Sequence, residues 1–215
     1  MEAHVQYPDR FAKITTDEKY LRQPSKQVDI QNPEEVSDIK IILTELQDIL
    51  ITKENWMTEE NGVIGYGLAA CQLKRLADTG KPAPRVGVVR IPNIGGWSLS
   101  LDMINPQILD LINPFKYKSE GCLSFPGQYT RTKRYRRIKL GFIDGITMQP
   151  RELSLYGFEA VVIQHEVDHH DGILFRDRHE KPTVKVGEKL RPNDPCICGS
   201  GKKVKKCDCG AYNLK

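Results

Sequence analysis

The chain has 215 residues, of which 39% are hydrophobic and 28% are charged, and its formal net charge is +4. This length suits one compact domain with a small appendage, and the composition lies far from that of a disordered chain. No apolar run approaches the ~20 residues of a membrane helix, and the first ten residues lack an apolar signal core. We therefore exclude an integral membrane protein, a collagen-like chain and a long coiled coil, and expect a cytoplasmic protein without membrane insertion.

The cysteines and the charge are concentrated at the C-terminus. Four of the six cysteines lie in the last 20 residues, and residues 181–215 carry nine Lys or Arg against three Asp or Glu. The preceding 180 residues carry 23 against 25, so the basic excess belongs entirely to the tail. The sequence therefore predicts a near-neutral body with a basic, cysteine-rich appendage.

The periodicity of the body predicts helices and strands. Residues 36–50 place apolar side chains at three- and four-residue steps, which predicts an amphipathic helix. Residues 85–91, 99–103 and 137–143 are typical of strands, with Gly and Pro turns between them. Residues 155–169 predict a second, more apolar helix. This order predicts an α+β fold, with antiparallel sheets around a central metal-binding helix and a small C-terminal zinc-binding appendage.

The change in amino-acid composition along the chain predicts three parts. We expect a catalytic domain over residues 1–177 and a polar linker over residues 178–191. The cysteine-rich segment, residues 192–215, is expected to be a zinc-binding unit.

The predicted second helix contains an H-E-x-x-H pattern formed by His165, Glu166 and His169. Residues at i and i+4 share one face of a helix, so both imidazoles can bind one metal ion. Glu166 then lies beside them as a candidate proton carrier. The alternative is a helix with two incidental histidines. The apolar residues before the pattern indicate burial, and a buried imidazole needs a partner that a metal can supply.

Two further segments carry candidate functional groups. Cys122 follows Gly121 in the sequence E-G-C-L-S, and its thiolate could be the third ligand of the same metal, leaving an open fourth position. The alternative is a small core residue. Residues 65–72 (GYGLAACQ) lack the third glycine of a nucleotide loop, so we predict a tight turn entering a helix. Its Gln72 amide would point into the site as a donor to a developing oxyanion.

These three segments resemble the three signature motifs of peptide deformylases. They are G-x-G-L-A-A-x-Q at residues 65–72, E-G-C-L-S at 120–124 and Q-H-E-x-D-H at 164–169. The resemblance covers about residues 10–177, and three motifs in the same order are far more specific than any one alone. It implies a hydrolase that removes the formyl group from N-formyl-methionyl peptides and releases formate.

The resemblance also implies roles for individual residues. A divalent metal, Fe(II) with Zn, Ni or Co as alternatives, would be bound by Cys122, His165 and His169. An activated water would attack the formyl carbon, and Glu166 would carry its proton to the leaving amine. The Gln72 amide and the Leu123 backbone N–H would stabilise the oxyanion.

The family resemblance implies that the substrate binds by strand addition to an exposed edge. The backbone that would meet the peptide comprises Gly65, Tyr66, Gly67 and Gly121. An apolar pocket for the methionine side chain would be lined by Phe158, Val161 and Val162. The alternative role for these three side chains is plain core packing.

Four positions depart from the family pattern or stand beside it. Tyr66 replaces a small aliphatic residue, and Tyr129 replaces an arginine that is common in some members. His170 follows the ligand where an apolar residue is frequent, and we expect it to be an exposed neighbour. We expect Cys71 to be a small packing residue.

The C-terminal segment resembles the SEC-C motif, a zinc-binding appendage. The resemblance implies zinc bound by Cys196, Cys198, Cys207 and Cys209, with Asp208 as the alternative to the last ligand, because a residue intervenes where two ligands are usually adjacent. Nearby lysines suit an acidic partner, and we expect docking on the ribosome or a nascent-chain factor. The alternative is a solvated basic knob.

Other interpretations remain open at the level of sequence. The basic run at residues 131–137 (RTKRYRR) is expected to be a solvated loop and strand, with RNA contact as the alternative. An H-E-x-x-H peptidase is the enzymatic rival to a deformylase. A metal-bound adaptor that binds nascent N-termini without turnover is the rival outside enzymes.

Overall fold

The computed structural model describes residues 12–50, 65–91 and 99–179, together with Lys203 and Lys206. Most of the predicted linker and the four cysteines of the predicted zinc site lie outside these described residues. Among the helices of the described part, none is long and apolar enough to cross a membrane.

Among the described residues, five strands form one antiparallel sheet in which each strand pairs with its neighbours in sequence. The strands are β1 (Gly67–Ala69), β2 (Val86–Ile91), β3 (Leu99–Cys122), β4 (Phe125–Asp144) and β5 (Pro150–Tyr156). With the helices this confirms the expected α+β class, although the strands join into a single sheet rather than several.

In the described part of the chain, four α-helices accompany the sheet: α1 (Glu18–Leu21), α2 (Pro33–Leu50), α3 (Lys74–Ala77) and α4 (Gly157–His170). Short 3₁₀ turns follow β1 at Ala70–Gln72 and α4 at Phe175–Arg178. The predicted second helix therefore begins two residues later than expected, because β5 extends to Tyr156. The first predicted helix begins about one turn earlier than expected, at Pro33. A proline followed by two acidic residues favours the start of a helix at this position.

Two clusters of buried side chains hold the fold together. The first gathers apolar residues of α1, α2, β1 and the last 3₁₀ turn, including Leu21, Leu46 and Phe175. The second packs Ala160, Val162, Ile163 and Val167 of α4 against β2 to β5. Helix α4 contacts every strand of the sheet. A helix covered on most sides need not be amphipathic, which explains why α4 buries polar residues such as Gln164 and His170 together with apolar ones.

The sequence patterns missed β1, β5 and the great length of β3. Periodicity ended the second predicted strand at residue 103, whereas β3 continues to Cys122. The pairing of β3 with β4 shifts register at four places, the first between Ile104 and Gln107. Asn105 and Asn113, each before a proline, adopt positive φ angles of 51° and 60°. Bulges of this kind break the two-residue alternation, so the extended strand carries no continuous strand pattern.

Gly172, just after α4, is expected to be essential for stability. Its φ is +71°, and a Cβ built there would lie 2.9 Å from the carbonyl carbon of Arg22, which is backbone and cannot move aside cheaply. We expect Gly172→Ala to lower the free energy of unfolding in urea by about 1–3 kcal/mol more than a matched alanine substitution without the clash. Gly80 provides that control, because its φ is +68° and no atom lies within 4 Å of the added Cβ. Equal losses for the two variants would show that contact with Arg22 contributes nothing.

Candidate active site

Functional side chains from three parts of the fold meet at one cavity of about 240 Å³. Gln72 comes from the 3₁₀ turn after β1, and Cys122 ends β3. Helix α4 supplies His165 and Glu166, and all four residues line the cavity. His169, one turn further along α4, lies behind them and is 1% exposed.

Cys122, His165 and His169 form a group that could hold a metal ion. Their ligand atoms all lie within 4.8 Å of one another, and the Cys122 Sγ is 3.2 Å from the His169 Nε2. One thiolate and two imidazoles are a donor set that zinc and the late first-row metals favour. In the part of the chain that the structure describes, no fourth residue joins the group. Three protein ligands beside a cavity are the arrangement of catalytic rather than structural sites.

Glu120 orients one of these histidines, a role that sequence reasoning did not assign. Its Oε1 lies 2.7 Å from the His165 Nδ1, and the carboxylate also accepts hydrogen bonds from Thr132 and Arg134. Burial raises the pKa of Glu120, but the hydrogen bonds from His165 and Arg134 outweigh it and hold that pKa well below the usual range. An ionised carboxylate only accepts, so the His165 Nδ1 carries a proton and its Nε2 stays available to a metal.

The buried charge of Glu120 belongs to a longer ion-pair network. Arg134, 2% exposed, contacts Glu120 on one side and lies 2.6 Å from an Asp168 carboxylate oxygen on the other. Arg178 meets the same aspartate at 2.5 Å. The expectation that residues 131–137 are all solvated is therefore wrong for Arg134. The domain's contacts also continue past residue 177, since His179 forms a β-bridge with Thr132.

Glu166 is suited to carry a proton near neutral pH. It is 3% exposed, and burial raises its pKa to about 7. Within the described residues its Oε2 has no hydrogen-bond partner. Gly67 makes room for it, because a Cβ added there would lie 2.7 Å from the Glu166 Cδ.

Gln72 directs its amide nitrogen towards the Cys122 sulfur. Its Oε1 accepts a hydrogen bond of 2.9 Å from the Ala69 N–H, which fixes the orientation of the amide. The Nε2 then lies 3.6 Å from the Cys122 Sγ and donates to the Ser124 hydroxyl at 3.2 Å. Leu123, in the turn between β3 and β4, lines the same cavity. The prediction of a tight turn entering a helix over residues 65–72 is wrong, because the segment forms β1 and then a 3₁₀ turn. That 3₁₀ turn nevertheless brings Gln72 into the site, as expected.

The residues expected to bind substrate all line the cavity: Gly65, Tyr66, Gly67, Gly121, Phe158, Val161 and Val162. The Tyr66 ring packs edge-on against Phe158 with centroids 4.8 Å apart. Val161 and Val162 are 2% and 8% exposed, so they serve both the core and the cavity wall. Tyr129, on strand β4, also lines the cavity and is 64% exposed.

Of the two predictions for residues beside the motifs, the one for Cys71 is confirmed and the one for His170 is wrong. Cys71 is buried as expected, its thiol donates to the His169 carbonyl at 3.6 Å, and burial raises its pKa well above the ordinary value. The expectation of an exposed His170 is wrong, because it is fully buried with its Nδ1 3.2 Å from the Ser25 hydroxyl. Burial and the charge of Arg85 lower the pKa of His170 to about 3, so it is neutral. Through this contact with Ser25, His170 joins the end of α4 to the N-terminal segment.

Removing the central arginine of the network should be far more costly than removing its neighbour. We expect Arg134→Met to lower the free energy of unfolding by about 3–5 kcal/mol, because Glu120 and Asp168 remain buried with less compensation. Arg136→Met is the matched control, since Arg136 is exposed and only stacks on the Phe115 ring at 4.5 Å. Its expected loss is at most about 1 kcal/mol. Similar urea midpoints for the two variants would contradict the role given to the buried network.

Comparisons with known proteins agree with this geometry. The family described as polypeptide deformylase matches residues 11–185. The peptide deformylase of Aquifex aeolicus is 34% identical over 158 residues, which cover 74% of this chain and 80% of that protein. The peptide deformylase of Fusobacterium nucleatum is 34% identical over 166 residues, covering 75% and 79%.

Solved structures give the same assignment. A probable peptide deformylase from Synechococcus phage S-SSM7 superimposes with a TM-score of 0.59 at 30% identity, covering 77% of this chain and 98% of that one. The peptide deformylase of Thermotoga maritima gives a TM-score of 0.58 at 26% identity, covering 82% and 99%. The match to the family spans most of the chain, including all three motifs and every residue of the described cavity. The chain therefore belongs to the polypeptide deformylases, metal-dependent hydrolases that remove the N-formyl group from new polypeptides.

Proposed function

We propose that Cys122, His165 and His169 bind the divalent metal of this deformylase, and that Glu166 moves the proton of the reaction. The observation that carries the proposal is the group of three donor atoms within 4.8 Å of one another beside the cavity. A divalent metal held there would supply Lewis-acid activation of a water and of the formyl oxygen. We propose Fe(II) as this metal, with Zn, Ni or Co as substitutes, because imidazole and thiolate suit all four.

The side chains around this group are placed to perform the remaining steps. Glu166, with a pKa of about 7, would accept the proton of the attacking water and deliver it to the leaving amine. The Gln72 Nε2, aimed by the Ala69 N–H, would donate to the developing oxyanion with the Leu123 N–H. These groups are held by the fold before substrate arrives, so little reorganisation is needed during the reaction.

The peptide substrate is proposed to add as a strand beside β1. This strand lies at one edge of the sheet and pairs only with β2 among the described strands. Gly65, Tyr66 and Gly67 would face the peptide backbone, with Gly121 across the cavity. The methionine side chain would enter the apolar part of the cavity, lined by Phe158, Val161 and Val162. The Tyr66 ring narrows the apolar part of the cavity, because it packs on Phe158.

Replacing Glu166 should abolish proton transfer without emptying the metal site. We expect Glu166→Ala to lower kcat/KM for a formyl-methionyl tripeptide by about 10²–10⁴-fold, measured by release of formate. Metal content after anaerobic purification should remain at the level of the unchanged protein. Glu159→Gln is the control, because this glutamate lies in the first turn of the same helix and outside the cavity. Full activity in Glu166→Ala would exclude the proposed role, and cleavage of the peptide bond instead of formate release would favour a peptidase.

The C-terminal segment is proposed to be a separate zinc unit formed by Cys196, Cys198, Cys207 and Cys209. Its support is the spacing of the cysteines, together with the short Gly- and Ser-rich turn between the two pairs. Such a small unit has little core, so zinc would supply most of its folding energy. We propose that it docks the enzyme, from the cytoplasm, on the ribosome or a nascent-chain factor through its lysines.

Metal analysis can separate the two proposed metal sites. Deleting residues 192–215 should remove one zinc per chain and leave formate release unchanged, while ribosome co-sedimentation at low salt decreases. Cys209→Ser should weaken zinc retention during dialysis against a chelator, whereas Asp208→Asn should not. The reverse order would make Asp208 the ligand. Unchanged zinc content after the deletion would exclude the tail site, and unchanged co-sedimentation would exclude its docking role.

A further inference from the structure

Two large apolar side chains that line the cavity are exposed. They are Phe158, which is 38% exposed, and Tyr129, which is 64% exposed. Phe158 packs on Tyr66 in the pocket proposed for methionine. Tyr129 belongs to neither of the two buried clusters of the described residues, so the fold gains little from its ring. Contact with a ligand would remove this apolar surface from water, which is favourable.

The strand register places Tyr129 on the other face of β4 from the side chains that meet Glu120. Thr132 and Arg134, two residues apart, both donate hydrogen bonds to the Glu120 carboxylate, which faces α4. The bulge that follows Tyr117 adds its extra residue to β3, so the alternation along β4 is unbroken here. Successive side chains of a strand point to opposite faces. Tyr129, an odd number of residues from both donors, therefore leaves β4 on the face turned away from α4.

The Tyr129 ring lies against backbone that is proposed to face the peptide. Tyr129 and Gly121 are directly paired between β4 and β3. A Cβ built on Gly121 would lie 2.7 Å from the Tyr129 Cε1, closer than real Cβ atoms come to other atoms. The ring therefore occupies the space that a side chain at position 121 would take. A peptide that faces Gly121 would pass next to this ring.

The turn that leads to Tyr129 is tied to other parts of the fold by Arg176. The Arg176 guanidinium lies over the Phe125 ring at 4.2 Å, and its Nη1 donates to the Gln128 Oε1 at 3.3 Å. Its Nη2 meets the Glu18 carboxylate at 2.8 Å. These contacts connect the turn to α1 and to the last 3₁₀ turn. An aromatic side chain on a turn that is already ordered loses little conformational freedom when a ligand binds.

We propose that Tyr129 contacts the second residue of the substrate and makes the enzyme prefer a large apolar side chain there. The inference rests on the proposed function, in which the peptide adds as a strand and its methionine side chain points towards α4. The next side chain of an extended strand points the other way, to the face on which β4 carries Tyr129. No Lys or Arg is among the described residues that line the cavity. Contact with the ring, rather than ion pairing, therefore distinguishes substrates at this wall.

Formate release from three peptides tests the proposal on the full-length, metal-loaded enzyme. The peptides are formyl-Met-Ala-Ser, formyl-Met-Leu-Ser and formyl-Met-Phe-Ser, which differ only in the second residue. We expect kcat/KM to be about three- to tenfold higher for the leucine and phenylalanine peptides than for the alanine peptide, because their side chains can cover the ring. In Tyr129→Ala this preference should fall below about twofold, whereas Tyr129→Phe, which keeps the ring, should retain it.

Tyr156→Ala is the matched control, because Tyr156 is 56% exposed on β5 and is not among the described residues of the cavity lining. Its preference should equal that of the unchanged protein. Each preference is a ratio within one variant, so a loss of stability or metal that affects all three peptides equally cancels. No preference in the unchanged protein, a full preference in Tyr129→Ala, or its loss in Tyr129→Phe or in the control would overturn the proposal. Failure of the unchanged enzyme to release formate from any of the peptides would instead contradict the proposed function.

Discussion

The ionised carboxylate of Glu120 is the constraint on which the rest of the site depends. It lies at the end of β3, where it receives hydrogen bonds from α4 through His165 and from β4 through Thr132 and Arg134. Three elements are therefore fixed by one buried group. A negative charge inside a protein is costly unless it is paired and hydrogen-bonded. Here one of the partners that offset this cost, His165, is itself a candidate metal ligand, and the same hydrogen bond orients it.

The ion pairs that begin at Glu120 form a chain in which negative and positive side chains alternate. Arg134 balances Glu120 and Asp168, and Arg178 adds a second cation at the edge of the domain. This arrangement explains how α4 can carry charged residues in the interior and still pack against the sheet. Asp168, the fourth residue of the H-E-x-x-H pattern, is therefore a structural partner that ties α4 to β4. The motif therefore carries two roles, because His165 and Glu166 line the cavity whereas Asp168 belongs to the buried ion-pair network.

Much of the site could be predicted from sequence because its geometry is local. Helical spacing alone places His165 and His169 on one face, and the apolar residues just before the motif indicate that α4 is buried. The role of Glu120 and Arg134 could not be predicted in this way. Their contact depends on the register between two long strands, and that register shifts between Tyr117 and Glu120. A bulge changes which face a side chain occupies, and no residue count along one strand reveals it.

The two wrong predictions of an exposed side chain share a physical cause. Arg134 and His170 are polar side chains that the sequence suggests should be exposed, yet both are buried because a distant element supplies the partner. For Arg134 the partners are on β3 and α4, and for His170 the partner is Ser25 on the N-terminal segment. The single useful signal was Glu120 itself. A glutamate next to a candidate metal-binding cysteine requires a cation from another part of the chain when it is buried.

The two-residue period of a strand allows the hairpin to serve the cavity and the surface together. Tyr117 lines the cavity, whereas its neighbours Lys116 and Lys118 are exposed. Successive side chains of a strand point to opposite faces, so neither role displaces the other. The bulge between Tyr117 and Glu120 then returns the chain to the interior, where Glu120 can meet His165. One irregularity in β3 thus separates a solvent-facing segment rich in lysine from the carboxylate that organises the active site.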